Sequence, residues 1–342
     1  MLYTILVNWK GWEDTLACLG SLMASEHEAL TVVVCDNASP DDSVERLTQW
    51  ADATLSRSDA PLVRPAVEWT DRRSEWIVPG NDRFRFILLE NSANLGFAGG
   101  NNTGIALALD DPACRYVFIL NNDTQVAPNA LNRLEAKADA EPRYAIVGAT
   151  LVFHEQPDIV QGLGARYSRL RGRAETLFAG GALAALPPTD EIESKMDYVL
   201  GAAMFVRADI LRRTGGLSED YFLYYEELDL SQQLLPGERL GWAPGAIIRH
   251  KVGGSIGTGR AKLRASNTSI YYDHRSKIRF YRTHWPLLTP FLAAKIGKTV
   301  LAYIRKGDMV AARVVLRATR DAMTKPESYR ADLTHFGRNR RA

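Results

Sequence analysis

Apolar and polar positions follow two periods along the first half of this chain. Residues 4–8, 30–35, 85–89 and 116–120 are short apolar runs rich in β-branched and aromatic side chains, which predicts four strands. Residues 13–25 place Leu16, Leu19, Leu22 and Met23 at helical spacing, and residues 43–51 and 98–109 also predict helices. Strands alternating with helices predict an α/β fold, a Rossmann-like and mostly parallel central sheet with helices on both faces. The pattern continues with a helix at 129–140, strands at 145–153 and 199–206, and a short helix at 207–214 closed by Gly215-Gly216. Two stretches break the rhythm. Residues 52–83, rich in Arg, Asp, Pro and Trp, look like an insertion of hairpin type. Residues 154–196, with Gly180-Gly181 and Pro187-Pro188, predict a long loop, a kind usually tied to function or motion.

From about Asp273 the pattern becomes helical throughout. This divides the chain into a domain at 1–272 and a helical extension at 273–342. Residues 285–304 are strongly apolar, but Lys295 and Lys298 lie within them and Pro286 and Pro290 interrupt their start. A Lys at the centre of a bilayer costs about 2.5–3.5 kcal/mol. An interfacial helix therefore fits better than a spanning one, with a bundle packed on the main domain as the alternative.

Charge sharpens that division. The net charge of +2 hides an asymmetry: residues 274–342 carry 16 Lys/Arg against 4 Asp/Glu, and residues 1–273 carry 26 against 36. A basic extension suggests an anionic partner, a membrane surface rather than nucleic acid, or simply a solvated helical tail. The three cysteines, Cys18, Cys35 and Cys114, are odd in number and form no metal framework, which fits a reducing, cytoplasmic setting. The N-terminus lacks a basic region before its apolar run and is expected to be a first strand rather than a signal peptide.

The chemistry-bearing residues cluster after the strands. Asn8-Trp9 follows the first, Asp36-Asn37 the second, Asn91 to Asn94 the third and Asn121-Asn122-Asp123 the fourth. Ligands of open α/β sheets sit at these carboxyl ends, and four such clusters in register describe a cleft. Asp36 is suited to accept a hydrogen bond from a pyrimidine ring N–H, or to cap the turn that follows it. Asp123 is suited to hold Mg²⁺ or Mn²⁺ against a diphosphate, but one carboxylate alone holds such a cation weakly. His250, beside Gly253-Gly254-Ser255, is the natural second ligand. A second acidic cluster, Glu226-Glu227-Leu228-Asp229, starts a short helical pattern. At about 100° per residue, Glu227 falls in the middle of the Leu228, Leu230, Leu234 and Leu235 arc, with Glu226 and Asp229 outside it. Burial would raise the pKa of Glu227 and make it a base near neutral pH. Asp229 is the second candidate. The alternative is that all three acids simply favour the start of a helix.

In order, these pieces resemble the family 2 glycosyltransferases with a GT-A fold, closest to a bacterial rhamnosyltransferase-like branch. The matching segments are Val7-Asn8-Trp9, Cys35-Asp36-Asn37-Ala38-Ser39, Asn94-Leu95-Gly96-Phe97-Ala98-Gly99-Gly100-Asn101-Asn102, Leu120-Asn121-Asn122-Asp123-Thr124, Gly201-Ala202-Ala203-Met204 and 222–230. The resemblance implies inverting transfer from a nucleotide-diphosphate sugar, dTDP-rhamnose or a UDP-sugar, to a hydroxyl of a glycan or lipid-linked glycan. It matches Asp36 to the family's nucleobase acid and Asp123 and His250 to its divalent-metal ligands; Asn8, Asn94, Asn101 and Asn121, in the same clusters, are the further donor-binding candidates, and the basic, apolar tail would suit a cytoplasmic enzyme at the inner face of the cell membrane. Two features depart from the family pattern. Glu227 stands where an Asp is usual, and the insertion at 52–83 has no obvious counterpart. Two rivals are a sugar-1-phosphate nucleotidyltransferase, which would want a Gly-rich, basic loop after the first strand, and a glycoside hydrolase, which needs no nucleotide cleft. A catalytically silent glycan-binding module is the non-enzyme reading.

Overall fold

The computed structural model describes residues 1–58, 70–78, 81–251 and 266–326. In chain order the elements begin β1 (Leu2–Asn8), α1 (Trp12–Met23), β2 (Leu30–Asp36), α2 (Ser43–Thr54), β3 (Ser56–Arg57), β4 (Thr70–Val78), β5 (Asn81–Asn91), α3 (Gly96–Asp110) and β6 (Tyr116–Asn121). They continue through β7 (Thr124–Val126), α4 (Ala130–Ala140), β8 (Tyr144–Phe153), β9 (Gln156–Gly162), β10 (Ala165–Ser168) and β11 (Arg173–Thr176). Then follow α5 (Thr189–Lys195), β12 (Ala203–Arg207), α6 (Ala208–Thr214), α7 (Glu226–Gln232), β13 (Arg239–His250), α8 (Asn267–His284), α9 (Thr289–Arg305) and α10 (Met309–Thr324).

The main sheet runs in the order β3-β4-β5-β2-β1-β6-β12-β8-β13-β7, with β9 paired to β8. β5, β2, β1 and β6 are parallel neighbours. Their apolar runs are nearly continuous because helices cover both faces. β12 enters antiparallel between β6 and β8. One apolar core lies under α1, α2 and α4, and a second under α3 and α6. Gly104 lets α3 lie flat on the sheet: a Cβ there would stand 2.7 Å from Ile5 and 2.9 Å from Cys35. All three cysteines are free and buried.

The insertion has a structural purpose. β4 pairs antiparallel with β5 and lengthens the sheet, and Trp76 is fully buried there against Phe86. Residues 154–196 are not the long loop expected. β9 edges onto β8, β10 and β11 form a hairpin, and α5 buries Ile192. The proposed domain boundary at 272/273 falls inside α8, which starts at Asn267, capped by Ser266.

The described part of the extension, up to residue 326, packs rather than trails. α8 and α10 build a third apolar cluster around Tyr271, Phe280, Val314 and Val315, and that cluster includes Tyr225 and Leu228 of the acidic segment. α9 is different. It buries Leu292, Ile296 and Val300 but leaves Phe291, 63% exposed, and Leu301, 51% exposed, on the outside. Residues Pro286–Arg305 are long and apolar enough, by length and composition alone, to cross a membrane.

Candidate active site

Strand register brings the polar clusters to one edge. Asn8 aligns with Asp36, Asp36 with Glu90, and Val7 with Asn121. Asn8 donates to Asp36 Oδ1 at 2.7 Å and accepts from the Thr15 hydroxyl at 2.9 Å. Asp36 is buried, and its second oxygen accepts the Ser39 N–H at 2.9 Å, so it caps the turn after β2. Asn94 accepts the Gly96 N–H at 3.0 Å and starts α3. Asn101 lies buried inside α3, donating to the Phe97 carbonyl, with its side-chain oxygen unpartnered. A residue outside the expected set, Asn37, ties these parts together. It donates to the Gly96 carbonyl at 2.8 Å and accepts from Asn91 at 3.0 Å.

The antiparallel register of β13 with β7 sets His250 opposite Thr124 and so beside Asp123. His250 Nε2 stands 3.2 Å from Asp123 Oδ1 and 3.4 Å from Asn121 Nδ2. The Lys251 N–H donates to the Asp123 carbonyl at 3.0 Å and fixes the strand end. On its other side the ring meets Gln161 Oε1 at 2.9 Å. With Gln161 Oε1 as the acceptor, the proton belongs on Nδ1, which leaves Nε2 free to act as a ligand beside Asp123. Metal-binding imidazoles are commonly oriented in this way. One carboxylate oxygen and one imidazole nitrogen could serve as two ligands of a divalent cation; among the described residues no third His, Cys, Asp or Glu joins them. Gln161 lay in the stretch read as loop, so nothing local pointed to it. The glycines and serine after His250 lie outside the described residues.

The acidic cluster differs from its helical-wheel expectation. Glu226 and Asp229 are the buried acids, at 4% and 3% exposure, while Glu227 is half-buried. The wheel assumed one buried face along a long helix. α7 has only seven residues, Leu235 lies beyond it and is exposed, and both the sheet and α8 pack on it. Burial pushes the pKa of Glu227 up, and that of Glu226 well up, with the neighbouring Glu227 charge adding to the rise at Glu226. Asp229 is fully engaged. It accepts from Tyr221 at 3.0 Å, Gln233 at 2.6 Å and His284 at 2.6 Å.

Two contacts join the corners. The Asn121 N–H donates to the Ala202 carbonyl at 2.9 Å. Next to Ala202, Gly201 stands against the Glu227 carboxyl, where a Cβ would lie 3.5 Å from Cδ. The glycine-rich start of α3 joins the same wall. Gly96 has φ +76°, and a Cβ there would lie 2.3 Å from the Phe222 carbonyl, the atom that accepts the Phe97 N–H.

Residues 70–181 match the model of a family described as glycosyl transferase family 2. That span includes Asp123 but not Glu227 or His250. The chain is 29% identical over 229 residues to the low-salt glycan biosynthesis hexosyltransferase Agl10 of Haloferax volcanii, covering 67% of this chain and 59% of that protein. It is 27% identical over 215 residues to the N-acetylglucosaminyl-diphospho-decaprenol L-rhamnosyltransferase of Mycobacterium tuberculosis, covering 54% and 65%. The chain thus spans about six-tenths of the length of these curated relatives. Among solved structures, it is similar to the mannosyltransferase PcManGT of Pyrobaculum calidifontis in complex with GDP-Man and Mn²⁺, at TM-score 0.52 and 15% identity over 95% of this chain and 75% of that one. It is also similar to GalNAc-T7 with UDP, GalNAc and Mn²⁺, at TM-score 0.55 and 12% identity over 83% and 48%. The architecture is GT-A-like, a mixed α/β fold with added C-terminal helices.

Proposed function

We propose that this chain, whose residues 70–181 match the glycosyl transferase family 2 model, moves a sugar from a nucleotide-diphosphate donor to a hydroxyl of a glycan or lipid-linked glycan, with inversion. The observation that carries this reading is the convergence of Asp123 and His250 with Glu227 through Ala202 and Gly201 on one sheet edge. The donor would lie along the strand ends and helix start that carry Asn8, Asp36, Asn94, Asn101 and Asn121, with the pyrimidine of a UDP- or dTDP-sugar turned to Asp36. Asp123 and His250 would hold a divalent cation, Mg²⁺ or Mn²⁺, which when bound supplies counter-charge to the diphosphate.

Glu227 takes the proton of the acceptor hydroxyl. The acceptor oxygen bonds to the anomeric carbon from the face opposite the diphosphate. The bond from that carbon to the phosphate oxygen breaks, and the nucleoside diphosphate leaves with the electron pair. A carboxylate whose pKa is raised by burial is a better base than an exposed one. Asp229, saturated by three donors, is poorly placed to share this task.

Turnover of UDP-glucose and dTDP-rhamnose, with and without Mn²⁺, tests the reading. Loss of nucleotide release in Glu227→Gln with UDP binding intact is expected. Equal turnover by that variant and the wild type overturns it.

The acceptor side favours a lipid surface. Phe291, Ala294 and Leu301 are exposed on the α9 face opposite Leu292, Ile296 and Val300, with Lys298 and Arg305 in the same stripe. Apolar side chains flanked by lysine and arginine suit an anionic membrane surface. That setting would bring the cleft to a lipid-linked acceptor on the cytoplasmic side.

A further inference from the structure

α7 is too short to hold its own geometry. Isolated helices of fewer than about 12 residues are marginal in water, and this one has seven. It also follows two consecutive non-glycine residues in the left-handed region, Tyr224 at φ +68° and Tyr225 at φ +79°. Bulky side chains adopt that conformation only when the surroundings impose it. The surroundings here are α8. Ser276 donates to the Leu223 carbonyl at 2.9 Å, and Tyr224 donates to the Ser269 hydroxyl at 3.2 Å. Phe222 stacks on Tyr272 at 4.5 Å, and Tyr225 packs on Phe280 at 5.4 Å.

The last residue of α8 bonds directly to one of the α7 acids. His284 Nε2 meets Asp229 Oδ1 at 2.6 Å, while its ring lies 4.6 Å from that of Phe280. Asp229 Oδ1 also accepts from Tyr221, and Oδ2 accepts from Gln233, so the carboxylate is a junction of three segments. Asp229 accepts, so the imidazole donates. We propose that His284 is a positioning residue for the transfer reaction: by donating to Asp229 it fixes the rotation of α7 and thereby aims Glu227 at the acceptor. The helical extension is then part of the active site and not an appendage.

This rests on Glu227 being the base, and the test separates the two ideas. Full-length wild type, His284→Ala, His284→Gln and Glu227→Gln are compared for hydrolysis of UDP-glucose and dTDP-rhamnose with Mn²⁺, for UDP affinity by calorimetry, and for amide exchange across residues 226–232. Displacement of a catalytic group by about 1 Å costs up to about 100-fold in rate. His284→Ala should therefore lose about 10- to 100-fold in kcat, keep its UDP affinity, and exchange the α7 amides faster. His284→Gln, which retains an N–H donor, should recover most of both. Wild-type kcat in His284→Ala beside an inactive Glu227→Gln overturns the positioning role alone. Unchanged α7 exchange in His284→Ala, or failure of His284→Gln to restore it, overturns the role as well, whether or not either sugar is turned over. Full turnover by Glu227→Gln removes the base itself.

Discussion

Asp123 and Glu227 are joined through Asn121, Ala202 and Gly201, yet the fold holds their charges in opposite ways. Asp123 sits at the end of a central strand, with an imidazole at 3.2 Å whose far nitrogen is anchored by Gln161. The corner gathers lone pairs and suits a cation. Glu227 sits beside a second buried carboxylate and a tyrosine-rich wall, where burial raises its pKa. That corner favours the protonated acid and makes the ionised form a willing acceptor of protons. Two carboxylates meet two environments, and under the proposed function each suits a different role.

The largest expected effect tests that division directly. Glu227→Gln should cost about 10²- to 10⁴-fold in kcat while UDP binding persists. If Asp229→Asn abolishes turnover and Glu227→Gln does not, the roles within α7 are reversed. Next comes the cation corner. Asp123→Ala should abolish the dependence of UDP binding on Mn²⁺ in calorimetry, and Gln161→Ala should weaken Mn²⁺ about 10- to 100-fold. Full activity in EDTA would remove the cation from this corner.

A smaller effect concerns pH. The folded protein keeps protons on Glu226 and Glu227 above the ordinary carboxylate value of 4.5, and the unfolded chain does not. Between that value and the raised folded value the native state binds more protons, so stability falls as pH rises. Under the proposed function Glu227 ionises over the same window and the rate rises with it. Glu226→Gln should flatten the stability slope by up to about 1.4 kcal/mol per pH unit, measured by urea unfolding across pH. A slope unchanged by the substitution would show that Glu226 is not the group responsible. The smallest effect on chemistry belongs to α9. Replacing Phe291 and Leu301 with Ser should abolish flotation with phosphatidylglycerol vesicles and leave hydrolysis of soluble donors unchanged. Equal flotation by both proteins would remove the membrane surface as a partner.

What the sequence by itself determined is local. The strands ending at Asn8, Asp36, Asn91 and Asn121 and the helices between them follow from short-range periodicity, and alignment at one edge follows from parallel pairing. His250 was singled out beside Asp123 because one carboxylate alone holds a cation weakly, and the pairing of β13 with β7 sets the two 3.2 Å apart. What only the tertiary structure decided depends on contacts between distant segments. Gln161 lies 89 residues from the histidine it orients, and His284 lies 55 residues from the acid it holds. The helical wheel misplaced the buried acids because a seven-residue helix takes its buried faces from whatever packs on it. Here those partners are a sheet on one side and α8 on the other, and no pattern within residues 226–235 records either one.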